Sequence, residues 1–90
     1  MEVEFEIVYA EKVVKKDIPK LLSKEKELIK RKIEDKLGKD PIFFGKPLRY
    51  SLKSLRSLRV GDFRVVFTLT VNQVRILAIK HRSLVYKEFK

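Results

Sequence analysis

Arginine side chains alternate with apolar residues in the stretch LRSLRVGDFRVVF, which spans residues 55–67. Its arginines are Arg56, Arg59 and Arg64, and the apolar residues around them have the spacing of β-strands. A guanidinium group stays protonated in proteins, and its planar fork of N–H groups binds two oxygens of a phosphate or carboxylate. Since burial of an unpaired guanidinium is costly, a fully apolar site would not accept Arg64, and we expect this side chain on an open surface.

The positive charge is concentrated in the second part of the chain, which has a net charge of +10 over 90 residues. Residues 1–40 carry 11 Lys or Arg and 10 Asp or Glu, whereas residues 41–90 carry 11 Lys or Arg and only Asp62 and Glu88 as acids. A field of one sign favours a polyanion or a strongly acidic protein as the partner. A surface that is merely basic is the alternative.

The composition limits the class of protein. Ninety residues form one domain, and 44% hydrophobic with 38% charged residues is typical of a globular chain. No apolar run reaches the ~20 residues that span a bilayer, and the acidic start MEVE differs from the basic start of a signal peptide. The absence of cysteine excludes disulfides and thiolate metal sites and fits a reducing compartment. We therefore expect a cytoplasmic protein that has no membrane partner.

The first 20 residues predict a strand followed by a short helix. Hydrophobic residues alternate with glutamates over residues 2–8, which is the pattern of a half-buried strand. A helix is predicted over residues 10–16, with Val13 and Val14 directed inward. Pro19 lacks an amide proton and is expected to interrupt it.

A longer helix is predicted over residues 23–37, followed by a connecting loop over residues 42–50. Ser23 is the predicted N-cap of this helix, and Gly38 its predicted left-handed C-terminal residue. The pair Phe43-Phe44 is expected to anchor the core or the loop rather than to stack on a ligand. The inward stripe of the helix consists of Leu22, Ile29, Ile33 and Leu37.

The second half of the chain predicts a meander of three strands, over about residues 53–60, 63–70 and 74–80. Turns at Gly61-Asp62 and Asn72-Gln73 separate these strands. Each strand shows alternating apolar and polar residues, the period expected when one face of a sheet is buried. The three strands are therefore expected to be antiparallel neighbours.

Side-chain alternation separates two faces of the predicted sheet. Arg64 and Phe63 lie on opposite faces, and a hairpin centred on Gly61-Asp62 can place Arg59 beside Arg64. If Phe63 faces the helices, Arg64 emerges on the uncovered face. The face of Phe63 also carries Val65, Phe67 and Leu69, the face of Arg64 also carries Val66, Thr68 and Thr70, and in the last strand Val74, Ile76 and Ala78 alternate with Arg75, Leu77 and Ile79.

The order of the elements predicts the α+β class, with an N-terminal strand, two helices and a three-stranded antiparallel meander. Such folds pack their helices on one face of a largely antiparallel sheet and leave the other face partly open. The sequence contains no internal repeat and no sign of a second domain.

Two motifs resemble the RelE/ParE toxin superfamily of bacterial and archaeal toxin–antitoxin modules. The first is GKPLRYSLKSLRSLRVGDFRVVF, residues 45–67, whose segment Arg59 to Val65 resembles the family's R-V-G-D-[YF]-R-V hairpin. The second is ILAIKHRSLVYK, residues 76–87, whose segment His81 to Tyr86 resembles the family's [HK]-R-x-x-x-Y ending. The first 40 residues resemble the family only in the order of their elements.

The resemblance implies a RelE-like fold, related to that of microbial RNases, as a single toxin domain over residues 1–90. It implies one of two activities. RelE-like members cut mRNA in the ribosomal A site, whereas ParE-like members inhibit DNA gyrase without that chemistry. It also implies a cognate antitoxin whose acidic or amphipathic tail wraps the toxin, so the protein is expected as a monomer or in a toxin–antitoxin hetero-oligomer.

The RelE-like activity implies roles for several residues. The 2′-hydroxyl attacks its own phosphate, which requires in-line geometry, cations around the phosphorane and proton transfer, but no metal or cofactor. Arg64 is the first candidate for the scissile phosphate, and Arg59 and Arg82 are candidates for further contacts with it. His81 is the candidate general acid. Tyr86 is the candidate base, or a partner that stacks on an mRNA base.

Further basic residues are candidates for binding the RNA backbone or ribosomal RNA. Lys53 and Arg56 fall where members of the family commonly carry basic residues, although Ser57 stands where one such pattern has a basic residue. Lys80 competes with the arginine that follows His81 for the second phosphate contact, and Arg49 completes the set.

Several functions remain compatible with these features. A ribosome-dependent mRNA interferase is favoured, because Arg64, His81, Arg82 and Tyr86 occur together. The alternative is a ParE-like gyrase inhibitor that acts by binding alone. A basic RNA-binding module without toxicity and a weakened toxin are further possibilities, and the charge of residues 41–90 fits all of them.

Overall fold

The computed structural model describes residues 4–48 and 55–88, apart from the side chains of Tyr86 and Glu88. Among these residues there is no helix with the length and apolar character needed to cross a membrane. The elements are, in chain order, strand β1 (Glu6–Tyr9), a π-helical turn (Val13–Asp17), a 3₁₀ turn (Ile18–Lys20), helix α1 (Ser23–Lys32) with a π-helical extension (Ile33–Leu37), helix α2 (Pro41–Phe44), strands β2 (Lys46–Pro47), β3 (Arg56–Val60), β4 (Phe63–Leu69) and β5 (Gln73–His81), and helix α3 (Arg82–Glu88).

The strands form one mixed sheet in the order β1-β5-β4-β3-β2. The predicted meander is confirmed, because β3, β4 and β5 are antiparallel neighbours. The turn between β3 and β4 contains Gly61, whose φ of 58° is the left-handed conformation that favours glycine. β1 lies at one edge and runs parallel to β5, with Ile7 beside Val74. The helical segments after β1 carry the chain to the opposite edge, where β2 begins.

One face of the sheet, which we call the helix face, packs against the helical segments and carries the main core. Phe67 of β4 is fully buried there, in the same cluster as Ile33 and Leu37 of the π-helical extension. Each large side chain buried in this way stabilises the fold by about 1.5–3 kcal/mol relative to exposure. The core consists of Val13, Leu21, Ile29, Ile33, Leu37, Leu58, Val60, Val65, Phe67, Val74, Ile76 and Ile79.

Two predicted core positions in the helical segments are wrong. Val14 is 52% exposed and Leu22 is 69% exposed, whereas Val13 and Leu21 are buried. The cause is the local geometry, because the π-helical and 3₁₀ turns depart from the period of 3.6 residues on which the prediction rests. The prediction is confirmed farther along the chain at Ile29 and in the π-helical extension.

The predicted bounds of the longer helix, residues 23–37, are confirmed, but its predicted capping residues differ from those in the structure. Leu22 rather than Ser23 occupies the N-cap position, and its amide donates a hydrogen bond to Glu25 Oε1 at 2.9 Å. Gly38 has a right-handed φ of −66°, so a left-handed conformation does not explain the glycine there. A close approach explains it, because an added Cβ would lie 2.5 Å from the carbonyl oxygen of Glu34.

The predicted loop over residues 42–50 contains, as far as residue 48, helix α2 and strand β2. Asp40 begins α2 by accepting a hydrogen bond from the Phe43 amide at 3.0 Å. Gly45 ends it against the ring of Phe67, with which an added Cβ would clash. The loop is therefore ordered by one cap and one close contact with the core.

A β-bulge reverses the alternation of side chains in β5. Val66 of β4 pairs with Ala78 and the next residue of β4 pairs with Ile76, so Leu77 is the extra residue. Uninterrupted alternation predicts Ala78 on the face of Ile76, and this prediction is wrong. Ala78 instead joins Val66 on the opposite face, while Ile79 enters the main core. The reversal applies to the rest of β5 as well.

Helix α3, which the sequence did not predict, covers part of the face that was expected to be open. The amide of Arg82, its first residue, donates to the carbonyl of Asp62 at 2.8 Å, which ties α3 to the β3–β4 turn. We call this the basic face, because its uncovered part carries the cations described below. Val85 of α3 packs on Leu55, Val66 and Ala78, and these four residues form a second, smaller buried cluster.

Candidate nucleic-acid interface

Three basic residues form a row across the basic face. Arg59 of β3 lies directly opposite Arg64 of β4, and Arg64 lies directly opposite Lys80 of β5. Directly opposed residues of antiparallel strands have Cβ atoms ~4.5–5.5 Å apart. The register therefore confirms that the hairpin at Gly61 places Arg59 beside Arg64, and it adds Lys80 on the other side.

The guanidinium of Arg64 is oriented by the β3–β4 turn. Its Nη1 donates to the carbonyl oxygens of Phe63 at 3.2 Å and Gly61 at 3.4 Å. Its Nε and Nη2 bind no group within the described part of the chain, so they remain available to two oxygens of an anion. The backbone of Arg82 is bonded to Asp62 in the same turn. The Arg64 side chain and the start of α3 are therefore both held by hydrogen bonds to the β3–β4 turn.

Arg59 and Arg64 have no carboxylate partner among the side chains described for residues 4–48 and 55–87. Like charges directly opposite each other destabilise strand pairing, by an amount on the order of 0.2–1 kcal/mol. An anion bound between the two guanidinium groups would remove this repulsion. The arrangement is therefore unfavourable in the free protein and favourable in a complex with an anion.

Lys80 differs from the two arginines because a buried carboxylate compensates its charge. Asp17 is only 3% exposed, and its Oδ1 lies 3.3 Å from Lys80 Nζ. Its Oδ2 accepts a hydrogen bond from the Ile79 amide at 3.0 Å. β1 pairs with β5 only as far as Ile76, so no β1 carbonyl group lies opposite the Ile79 amide. The Asp17 carboxylate accepts the hydrogen bond from that amide instead. Lys80 thus contributes less net charge to the row than either arginine.

An open cavity of about 530 Å³ lies beside the two arginines, at the edge formed by β2 and β3. Its volume is within the usual range of ligand sites. None of the described residues that line it is acidic. A cavity that combines several cations with an aromatic wall suits a unit of phosphate and base. Its principal lining residues are Lys36, Phe44, Lys46, Leu48, Arg59 and Arg64.

His81 lies on the helix face, on the opposite side of the sheet from Arg64. The bulge places it opposite Phe63, and the two ring centroids are 6.0 Å apart. Its Nδ1 accepts a hydrogen bond from the Ser83 amide at 3.2 Å. An acceptor at Nδ1 carries no proton, so the neutral ring has its proton on Nε2. His81 thus caps α3, and the register does not bring it beside Arg64, where a general acid for the same phosphate is expected.

Arg56 also lies away from the basic face, since it pairs with Phe67 across β3 and β4. Its Nη2 donates to the carbonyl oxygens of Ile42 at 3.2 Å and Gly45 at 3.0 Å. Its Nε is buried and has no hydrogen-bond partner in the described part of the chain. These bonds brace α2, whereas RNA binding by Arg56 stays a prediction.

Three predicted site residues lie partly or wholly outside the described residues. Lys53 and Arg49 belong to residues 49–54, and only the backbone of Tyr86 is described, as part of α3. Arg82 is described and exposed at the start of α3. The roles assigned to these residues stay predictions.

Lys36, Lys46 and Phe43 were missed as candidates for binding. Both lysines line the cavity, but their proximity to the arginines depends on how the π-helical extension and β2 pack, for which the sequence carries no local signal. Phe43 was predicted to anchor the core or the loop and is instead 65% exposed. Phe44 does pack against the main core. A single helical turn can direct only one of two successive rings inward.

The structure is similar to that of one chain in the toxin–antitoxin complex RelBE2 of Mycobacterium tuberculosis, with a TM-score of 0.80 and 25% sequence identity. The similarity covers 90% of the present chain and 94% of the RelBE2 chain. No protein-family model matches the sequence, and no curated protein matches it. The resemblance carried by two sequence motifs thus extends to nearly the whole fold.

Proposed function

We propose that this chain, whose fold is similar to that of RelBE2 and whose motifs resemble the RelE/ParE toxin superfamily, is the toxin of a type II toxin–antitoxin module and cleaves mRNA in the ribosomal A site. The similarity to RelBE2 supports the toxin assignment. The cleavage itself is inferred from the chemistry of the basic face. An acidic cognate antitoxin is the expected partner, and the cytoplasm is the expected location.

The observation that carries the nuclease proposal is the row formed by Arg59, Arg64 and Lys80. Fixed cations that face a developing negative charge lower the barrier without reorganising during the reaction. The two arginines meet this requirement because the strands set their spacing and the turn orients Arg64. A surface that merely favours solubility would instead mix charges of both signs.

In the proposed reaction, the 2′-oxygen forms a bond to the adjacent phosphorus and the bond from phosphorus to the 5′-oxygen breaks. The 2′-hydroxyl loses its proton to a base, and the leaving 5′-oxygen takes a proton from solvent water. The products are a 2′,3′-cyclic phosphate and a free 5′-hydroxyl. In this proposal Arg64 and Arg59 stabilise the phosphorane oxygens, and Arg82, the first residue of α3, supplies a further cation.

Proton transfer is the part of the reaction for which the basic face offers the fewest groups. In the proposal, Tyr86 serves as the base or stacks on a base of the mRNA. His81 acts indirectly, by capping α3, which carries Arg82 and Tyr86. An enzyme with few strong acid–base groups depends on the ribosome to align its substrate, so we expect naked RNA to be cleaved poorly.

The test is to express the protein without an antitoxin and to map new 5′ ends of mRNA on translating ribosomes. Cleavage within A-site codons is expected, and Arg64→Ala should reduce its rate by about 10²–10³-fold, the usual effect of removing one group that stabilises a transition-state charge. Arg75→Ala is the matched control. Arg75 is exposed on the same face of the sheet and pairs with Thr68, roughly 13 Å along β4 from Arg64.

Two results would contradict the nuclease proposal. Growth arrest with intact mRNA and altered DNA topology would indicate a ParE-like gyrase inhibitor. Equal cleavage by the Arg64→Ala and Arg75→Ala variants would show that the row does not carry the chemistry. Efficient cleavage of free RNA would overturn only the dependence on the ribosome.

A further inference from the structure

Among the phenylalanine and tyrosine side chains that the structure describes, the most exposed is that of Phe43, in helix α2. Its side chain is 65% exposed, while that of the adjacent Phe44 packs against the main core. An exposed phenylalanine ring does not stabilise the fold, because it is not removed from water. Its position beside the basic cavity makes it available for contact with a ligand bound there.

Phe43 is connected to the cavity by direct contacts. The centroids of the Phe43 and Phe44 rings are 4.9 Å apart, and the ring planes meet at 89°. Phe44 forms part of the cavity wall. Lys46 Nζ, which also lines the cavity, lies 6.0 Å from the centre of the Phe43 ring. A path therefore leads from Arg59 and Arg64 across the cavity to an open aromatic face.

The ring is presented by a braced element. Asp40 caps the start of α2 through the Phe43 amide, and Arg56 holds the carbonyl oxygens of Ile42 and Gly45. These bonds fix the backbone on both sides of Phe43. A fixed backbone lowers the conformational entropy that the ring would lose when it binds a partner.

We propose that Phe43 is a stacking platform for an unpaired nucleobase of the RNA strand whose phosphate binds at Arg59 and Arg64. Every base presents a flat face, and single-stranded nucleic acids are bound by basic grooves that carry such aromatic rings. The occupant is a nucleic acid and not an acidic peptide, because the cavity pairs its cations with an aromatic wall. The inference rests on the proposed function only in taking RNA as the ligand.

The sequence supplies its own reporter for a test, because the chain contains no tryptophan. Phe43→Trp introduces a single indole at the proposed platform. Ile42→Trp is the matched control, because Ile42 is the preceding residue of α2 and is 62% exposed. Each variant is titrated at low salt with an eight-nucleotide oligoadenylate and with an octamer of the same charge in which every base is absent.

Stacking predicts that oligoadenylate quenches the emission of the Phe43→Trp variant and leaves that of the Ile42→Trp variant nearly unchanged. The abasic octamer should quench neither. In parallel, Phe43→Ala should weaken oligoadenylate binding by about 5- to 150-fold, the effect of losing one base–aromatic stack. Ile42→Ala should weaken it less than about twofold, and neither change should alter binding of the abasic octamer.

Three outcomes overturn the proposal. The first is equal quenching by the abasic octamer. The second is oligoadenylate affinity that falls in an Arg64→Ala variant but not in Phe43→Ala, which leaves the proposed function intact. The third is quenching of Phe43→Trp by polyglutamate of matched charge, which would identify an acidic peptide as the occupant. Because none of these measurements uses a ribosome, they remain distinct from a failure of A-site cleavage.

Discussion

The helix face and the basic face use the same strands for different purposes. On the helix face, twelve buried residues from both the helices and the strands form the main core. On the basic face the buried cluster has four of the described residues, one from α3 and three beneath it, and the uncovered part carries Arg59, Arg64 and Lys80 in one row. The small number of buried contacts on the basic face means that it contributes less to stability than the helix face.

This difference shows how a 90-residue chain can hold an unfavourable row of cations. The like charges weaken strand pairing on one face, and the apolar core on the other face offsets that cost. Stability and anion binding are thereby assigned to side chains that alternate along the same strands. Substitutions of neighbouring residues should therefore affect different properties.

The largest effect is expected from Phe67→Ala on the helix face. Loss of a fully buried phenylalanine should lower the free energy of unfolding by about 3–5 kcal/mol, measured by urea denaturation. A change of less than about 1 kcal/mol would contradict the assignment of the main core.

A matched pair within β4 sharpens this comparison. Val65 and Val66 are both fully buried, but their side chains enter the main core and the smaller cluster, respectively. Substitution of either valine by alanine removes two buried methyl groups and should lower the free energy of unfolding by about 1.6 kcal/mol through the lost transfer free energy alone. The cavity left behind should lower it further. Val65→Ala should cost more, because the small cluster under α3 can relax more easily. Equal costs would show that the two faces are equally rigid.

A smaller effect is expected at the junction of the two faces, where His81 caps α3. His81→Ala should cost about 1 kcal/mol of stability and reduce cleavage, because α3 loses the acceptor for the Ser83 amide. His81→Asn should retain most of the stability and most of the cleavage activity, since asparagine is a good N-cap. If His81→Asn is stable but as inactive as His81→Ala, the histidine takes part in proton transfer after all.

On the basic face, Arg59→Gln should raise stability while it lowers cleavage. Removing one of two opposed guanidinium groups relieves repulsion on the order of 0.2–1 kcal/mol, which thermal unfolding at low salt can detect. The gain should shrink as salt screens the charges. Arg75→Gln, which removes an arginine that pairs with Thr68, should give no such gain. A loss of stability in Arg59→Gln would mean that repulsion between the two guanidinium groups does not destabilise the free protein.

The smallest effect concerns Tyr9, which lines an apolar cavity of about 270 Å³ on the helix face. Burial raises the pKa of Tyr9 above its usual value of 10.0, and the nearby charge of Glu34 raises it further. The folded protein thus favours the neutral phenol. This contribution to stability is complete below pH 10 and is lost as the pH rises through the higher pKa of the folded state.

Tyr9→Phe should therefore lose less stability than the wild type when the pH is raised from 8 to about 11. The measurement is the urea midpoint of both proteins at each pH. Parallel curves for the two proteins would contradict the raised pKa.

Much of the fold could be predicted from the sequence because its signals are local. The alternation in β3 and β4 and the turn at Gly61 predict the hairpin, and the register confirms Arg59 beside Arg64. Phe43 illustrates the limit of such reasoning. Its sequence neighbourhood is apolar, and only the packing of α2 against Phe67 shows that this ring is directed outward.

The sequence by itself determined that a basic, alternating meander follows a strand and helices, and that Arg64 and Phe63 lie on opposite faces. The tertiary structure alone decided which residue of β5 stands beside Arg64. If the register of Leu69 with Val74 continued without interruption, Ile79 would lie opposite Arg64 and His81 would share its face, but the extra residue at Leu77 places Lys80 opposite Arg64 instead. The side-chain period of a strand is two, so one inserted residue exchanges the faces of all that follow. Leu77 carries no glycine or proline signal, and its bulge is visible only when β4 and β5 are paired.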